Sequence, residues 1–252
     1  MTYKECINIW RAGISEELMN RFYLKFTYSS NKIENNETRL RDVENVFRGS
    51  AVVGFKGNSK TITEIENHKA LCDNIVRLSK ENNPQLSIDV IKHFHYALMR
   101  GCFSEELLIK GEKPGEFKNG DYVVGVHDVG ASPEEVEENL KSLVDEINEV
   151  EVNENNVLKI LSYVHCWFEH IHPFADGNGR VGRMLLNYLL IGNNFPPIII
   201  FESDRTEYYW ALENFNEKQE IDKMVSFLED QAFKTWLKDY NLKVKSLKEF
   251  LD

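Results

Sequence analysis

The run His172-Pro173-Phe174-Ala175-Asp176-Gly177-Asn178-Gly179-Arg180-Val181-Gly182-Arg183 concentrates groups that together can do phosphoryl chemistry. Glycines on both sides of Asn178 let the backbone turn sharply and bring successive N–H groups to one concavity. The helix that follows adds its positive dipole end, and the result is an anion cradle. Arg180 and Arg183, three apart, share a helix face and can set two guanidinium forks beside phosphates. Asp176 at the mouth would repel phosphate unless a divalent cation bridged the two, and Mg²⁺ commonly uses one or two carboxylates plus substrate phosphates. His172, with an ordinary pKa of about 6.5, can accept a proton at neutral pH. Base, metal ligand and phosphate clamp thus lie within one short stretch.

Other chemistries fit this stretch less well. Read as an EF-hand from Asp176, the sixth position is Val181 where glycine is needed and the twelfth is Asn187 where a bidentate glutamate is needed. No Gly-Lys-Ser/Thr occurs, so it is not a Walker A loop.

The elements that must position these groups read as mainly α. Segments 61–80, 87–99, 133–149, 156–171, 178–192, 205–216 and 220–239 repeat apolar residues at three- and four-residue spacing. Ser132-Pro133-Glu134-Glu135 and Ser87-Ile88-Asp89 are start signals. The exception is 114–126, where Pro114-Gly115, Asn119-Gly120 and Tyr122-Val123-Val124 predict a β-hairpin that must lean on the helices. With 42% apolar residues in 252, the chain can bury a substantial core. Its net charge of −11 disfavours a nucleic-acid binder. Cys6, Cys72, Cys102 and Cys166 form no CxxC pair and read as free thiols. No run is long and apolar enough for a membrane span and no signal-peptide core is visible, so the expected location is the cytoplasm.

The motif His-x-Phe-x-Asp/Glu-Gly-Asn-Gly-Arg-x-x-Arg is matched at every specified position, and from about residue 19 to 231 the chain resembles the Fic (filamentation induced by cAMP) family of nucleotidyl transferases. The resemblance implies a Fic fold, a helical core with a β-hairpin flap. It also implies AMP transfer from ATP to a Ser, Thr or Tyr hydroxyl of a target protein. His172 would be the base, Asp176 the Mg²⁺ ligand, and Gly177, Asn178 and Gly179 the anion hole. Arg180 and Arg183 would contact the β/γ-phosphates, and Phe174 would hold the loop to the core.

Ser30-Asn31-Lys32-Ile33-Glu34-Asn35 follows the family's inhibitory pattern, Ser/Thr-x-x-x-Glu-Gly/Asn, in the N-terminal arrangement called class II. The resemblance implies that Glu34 pairs with Arg183 and obstructs the γ-phosphate, with Ser30 part of the same motif. Val124 is the flap candidate; Lys118 stands where family flaps often carry arginine. Tyr208, Tyr209 and Asn216 are nucleoside candidates on the helix after the motif.

These expectations divide the chain into an N-terminal helical region 1–60 with an inhibitory helix at about 30–35, a catalytic core 61–231 and a helical tail 232–252. Self-modification and a homo-oligomer are compatible with the pattern. Within the enzyme class the alternatives are a deAMPylase or a transferase using another nucleotide donor. Outside it stands an ATP-sensing, protein-binding module, which would have no need of a base.

Overall fold

At the centre lies one helix that is buried nearly all round, covered by others on every side and apolar apart from the polar groups of its first turns and Asn187. In the computed structural model, which describes residues 3–50, 52, 57–81, 85–122 and 130–238, this is α9 (Asn178–Gly192), with every residue from Arg180 to Leu190 buried. Packed against it are α2 (Glu16–Glu34), α4 (Ser59–Glu81), α5 (Ile88–Met99) and α8 (Val157–Ile171). Around these stand α1 (Tyr3–Arg11), α3 (Leu40–Phe47), the short α6 (Glu105–Ile109), α7 (Val136–Glu149), α10 (Arg205–Lys218) and α11 (Asp222–Ala232). The mainly α expectation holds. Among the described residues no helix is long and apolar enough to cross a membrane, and Cys6, Cys72, Cys102 and Cys166 are free and buried.

Serines open several of these helices. Ser15, Ser87 and Ser104 sit in extended backbone and accept from the N–H three residues on, each satisfying one of the donors that a helix start leaves bare. The expected start at Pro133 is displaced to Val136. Residues 133–135 form a turn in which Ser132 donates its hydroxyl to Glu135 at 2.7 Å.

No strand forms among the described residues, so the expected hairpin at 114–126 is not seen there. Over 114–122 the backbone donors are spent elsewhere: Gly115 N–H on His95 Nδ1, Lys118 N–H on Pro173 O and Asn119 N–H on Glu112 Oε1. Residues 123–129, with Val124, lie outside the described residues, as do residues 239–252 of the tail. The described part of the tail continues α11 as a π-helical turn, Phe233–Lys238.

Candidate functional site

Helix α8 ends abruptly at His172. Its φ of 51° and ψ of 63° place it in the left-handed region, its N–H still bonds Phe168 O, and Pro173 cannot continue the helix. A non-glycine residue in that region is uncommon, and such strain is held only where the surroundings fix it. Here they do. Phe174, fully buried, stacks on His95 with ring centroids 3.7 Å apart and planes 10° from parallel. His95 Nδ1 accepts from Gly115 N–H, so Nε2 carries the proton and donates to Asp176 O at 3.0 Å. Asn178 closes the loop: its Oδ1 accepts from Phe174 N–H and its Nδ2 donates to Phe174 O.

Gly177 caps α9 at φ 87°, and a Cβ there would meet Met99 Sδ at 2.5 Å, so glycine is required twice over. Beyond it the first i→i−4 bond runs from Val181 N–H to Gly177 O. The N–H groups of Asn178, Gly179 and Arg180 stand ahead of that bond without an intrahelical acceptor, at the positive end of the dipole.

His172 is neutral at physiological pH. Burial and the charge of Lys118 push its imidazole down to about 4, against the opposing pull of the Glu169 carbonyl, Glu34 and Asp176. Lys118 is itself buried.

The two arginines are buried and already paired. Arg180 donates from Nη1 to Glu64 Oε1 at 2.8 Å and from Nη2 to Asp176 Oδ1 at 3.1 Å. Glu64 Oε2 in turn accepts from Asn35 at the end of α2. Arg183, 1% exposed, donates from Nε to Ser30 Oγ at 3.1 Å and from Nη2 to Ser30 O and Glu34 Oε1, at 2.9 and 2.8 Å. Burial works against its charge, yet Glu34, Tyr208 and Glu169 raise its pKa above the ordinary value.

Asp176 is one-third exposed at the mouth, with Oδ2 3.5 Å from Lys60 Nζ. Among the described residues no cluster of three or more potential metal ligands exists. A single accessible carboxylate beside an anion cradle fits a Mg²⁺ ion that takes its other ligands from phosphates and water.

The nucleoside candidates divide. Tyr208 is 1% exposed, and its hydroxyl pairs with His165 Nε2 at 2.9 Å, so it is a wall of the Arg183 pocket and offers no face to a base. Tyr209 is 40% exposed. Asn216 Oδ1 lies 2.9 Å from His170 Nδ1. Sequence reasoning missed Glu64 and His95. Each is one polar residue among several on its helix, and nothing but a partner distant in sequence distinguishes it.

Comparison with known proteins agrees with this geometry. Residues 85–190 match the model of the Fic/DOC family. The chain is 30% identical over 196 residues to protein adenylyltransferase fic-1 of Caenorhabditis elegans, which takes in 77% of this chain and 37% of that protein. It is 28% identical over 199 residues to protein adenylyltransferase Fic of Drosophila mojavensis, covering 39% of that protein. The chain therefore spans less than two fifths of the length of these relatives. Among solved structures, a Fic domain containing signaling protein from Bacteroides thetaiotaomicron superposes with a TM-score of 0.77 at 22% identity, over 93% of this chain and 94% of that one. A fragment of C. elegans Fic-1 gives 0.77 at 22% identity, over 97% and 72%. Loop, helix and motif agree with these matches: the chain belongs to the Fic/DOC family.

Proposed function

We propose that the protein is an adenylyltransferase that moves AMP from ATP to a Ser, Thr or Tyr hydroxyl of a protein, its own chain included, and that Glu34 holds it in check. The observation that carries this reading is the loop 172–178. It seats a neutral imidazole in a strained conformation directly ahead of the bare N–H groups of α9. The relatives' names as protein adenylyltransferases support it.

In this reading His172 takes the proton of the incoming hydroxyl, whose oxygen bonds to the α-phosphorus while the bond to the β-phosphate bridging oxygen breaks and pyrophosphate leaves. The proton rests on the imidazole. The Gly177-Asn178-Gly179 stretch would form the anion hole, with the bare N–H groups of Asn178 and Gly179 turned to the phosphates; the Asn178 side chain is occupied in closing the loop. Asp176 would hold Mg²⁺, which when bound neutralises phosphate charge. Little covalent work falls to the protein beyond the proton transfer, so orientation and fixed positive charge supply most of the acceleration.

Glu34 occupies the guanidinium that the terminal phosphates need. Residues 1–60 are then the regulatory part and 61–231 the catalytic core. Intact-protein mass spectrometry after incubation with ATP and Mg²⁺ tests the whole. An AMP adduct is expected on Glu34→Gly and none on Glu34→Gly/His172→Ala. An adduct of equal extent on both would remove His172 as base. ATP bound without any adduct, on the chain or on supplied proteins, would favour a module that binds without transferring.

A further inference from the structure

Glu169 stands on α8 one turn before His172, and its Oε1 is buried with no hydrogen-bond partner among the described residues. The space it fills is defined by a glycine: a Cβ on Gly182 would lie 2.3 Å from Glu169 Oε1. Three residues earlier on α9, a Cβ on Gly179 would lie 2.4 Å from Glu34 Oε1 and 2.9 Å from Arg183 Nη1. Positions three apart share a helix face. Two carboxyl groups, one from α2 and one from α8, therefore lie against the same strip of α9, and both act on the charge of Arg183.

Their engagement is unequal. Among the described residues the side-chain hydrogen bonds of Arg183 run to α2, to Ser30 and Glu34, while Nη1 has no partner. An arginine held only by the segment that must release it would lose its orientation at the moment of release. The groups facing Glu169 are Arg183 from α9, Glu34 from α2, Tyr208 from α10, and His165 and Cys166 from its own helix. Tyr208 stays protonated and His165 neutral through the physiological range, because burial raises the first and lowers the second. Cys166 is likewise a thiol, since burial and Glu169 both raise it. Glu34 and Arg183 are thus the charges that decide the state of Glu169.

We propose that Glu169 is a positioning residue for Arg183: it keeps its proton while Glu34 occupies the guanidinium, and releases it to solvent and takes over the guanidinium when Glu34 is withdrawn. The arginine then stays tied to the helix that carries His172. Incoming phosphate displaces that carboxylate and returns the proton to it. Burial pushes the Glu169 carboxyl up to about 8, with Glu34 raising it further against Arg183. Removing the Glu34 charge therefore lowers it. The inference rests on the proposed role of Glu34 as the group that occupies Arg183 and holds the enzyme in check.

The first test needs no nucleotide. With carboxyl-labelled glutamate, NMR of the wild type should show one carboxyl titrating near pH 8, absent from Glu169→Gln and shifted to lower pH in Glu34→Gly. A wild type with no such carboxyl, or one unmoved in Glu34→Gly, would overturn the proposal. In the second test, calorimetry of ATP with Mg²⁺ binding to Glu34→Gly should show affinity weakening roughly fivefold to tenfold from pH 6.5 to 8, as proton uptake at one site requires. That slope should be missing from Glu34→Gly/Glu169→Gln, and equal slopes would count against Glu169. If Glu34→Gly bound no ATP at all, the functional reading would fall while the carboxyl titration still decided the role of Glu169.

Discussion

Arg183 Nη2 and Glu34 Oε1 meet at 2.8 Å across 149 residues of sequence, joining the last residue of α2 to the central helix at the edge of the anion cradle. A charge-assisted hydrogen bond of this kind is worth about 1.5–3 kcal/mol, which phosphate must overcome before it can use the guanidinium. Glu34→Gly should therefore tighten ATP binding by roughly tenfold to a hundredfold. It should also lower unfolding stability by about 1–2 kcal/mol, a discounted figure because the Glu34 side chain is 30% exposed. Calorimetry and denaturant melts on the same samples check both signs; unchanged affinity would mean that the pair does not gate the site.

Gly179 makes that pair possible. Alanine there would place Cβ 2.4 Å from Glu34 Oε1 and 2.9 Å from Arg183 Nη1. Gly179→Ala should cost about 1–3 kcal/mol of stability, as overpacking commonly does. The cost should shrink in a Glu34→Gly background, where the obstructing oxygen is gone. A double-mutant cycle measures the difference, and strictly additive costs would contradict the geometry.

The central part of this arrangement was legible in the sequence. Helix α9 spans the residues that its apolar run and the preceding glycine predict, because Gly177 must turn and everything after Val181 can be buried. Helix α2 was much less visible. Its last turns carry Thr27, Ser29, Ser30 and Asn31, all buried and polar, which breaks the apolar period where the helix faces α4 and α9. The end of α11 was blurred for a related reason. Thr235 Oγ1 bonds both Gln231 O and Ile199 N–H, which places a side chain in the ladder where the helix widens to a π turn. Over 114–122 no strand forms, because backbone donors read as strand donors found His95, Glu112 and Pro173 instead, while residues 123–126 of the expected hairpin lie outside the described residues. Tyr208 passed for a nucleoside contact because spacing does not reveal that a hydroxyl already has His165 as partner.

Glu64 ties the two halves of the site together, since Oε1 accepts from Arg180 and Oε2 from Asn35, the neighbour of Glu34. Both partners of the Glu64–Arg180 pair are almost completely buried. Breaking such a pair from one side leaves an uncompensated charge and costs about 3–5 kcal/mol, reduced here because Asp176 still faces Arg180. Glu64→Ala should therefore destabilise by about 2–4 kcal/mol, clearly more than Glu34→Ala. Denaturant unfolding of both variants ranks them, and the reverse order would show that Arg180 does not depend on Glu64.

The acid side of the pH profile follows from His172. Its imidazole is pushed down to about 4, by burial first and then by Lys118, so in the free protein it is unprotonated throughout the neutral range. A base is active above its pKa, and kcat/KM reports the free enzyme. In the Glu34→Gly protein, kcat/KM for AMP transfer should therefore not decline as pH falls from 8 toward 6, where an ordinary histidine near 6.5 would already have halved it; the rise that Glu169 imposes through ATP binding is removed in Glu34→Gly/Glu169→Gln. Replacing Lys118 by Gln removes a positive neighbour. That favours the protonated imidazole, so the acid limb should move to higher pH. An acid limb near pH 6.5 in Glu34→Gly that Lys118→Gln left in place would mean that neither burial nor Lys118 sets the base.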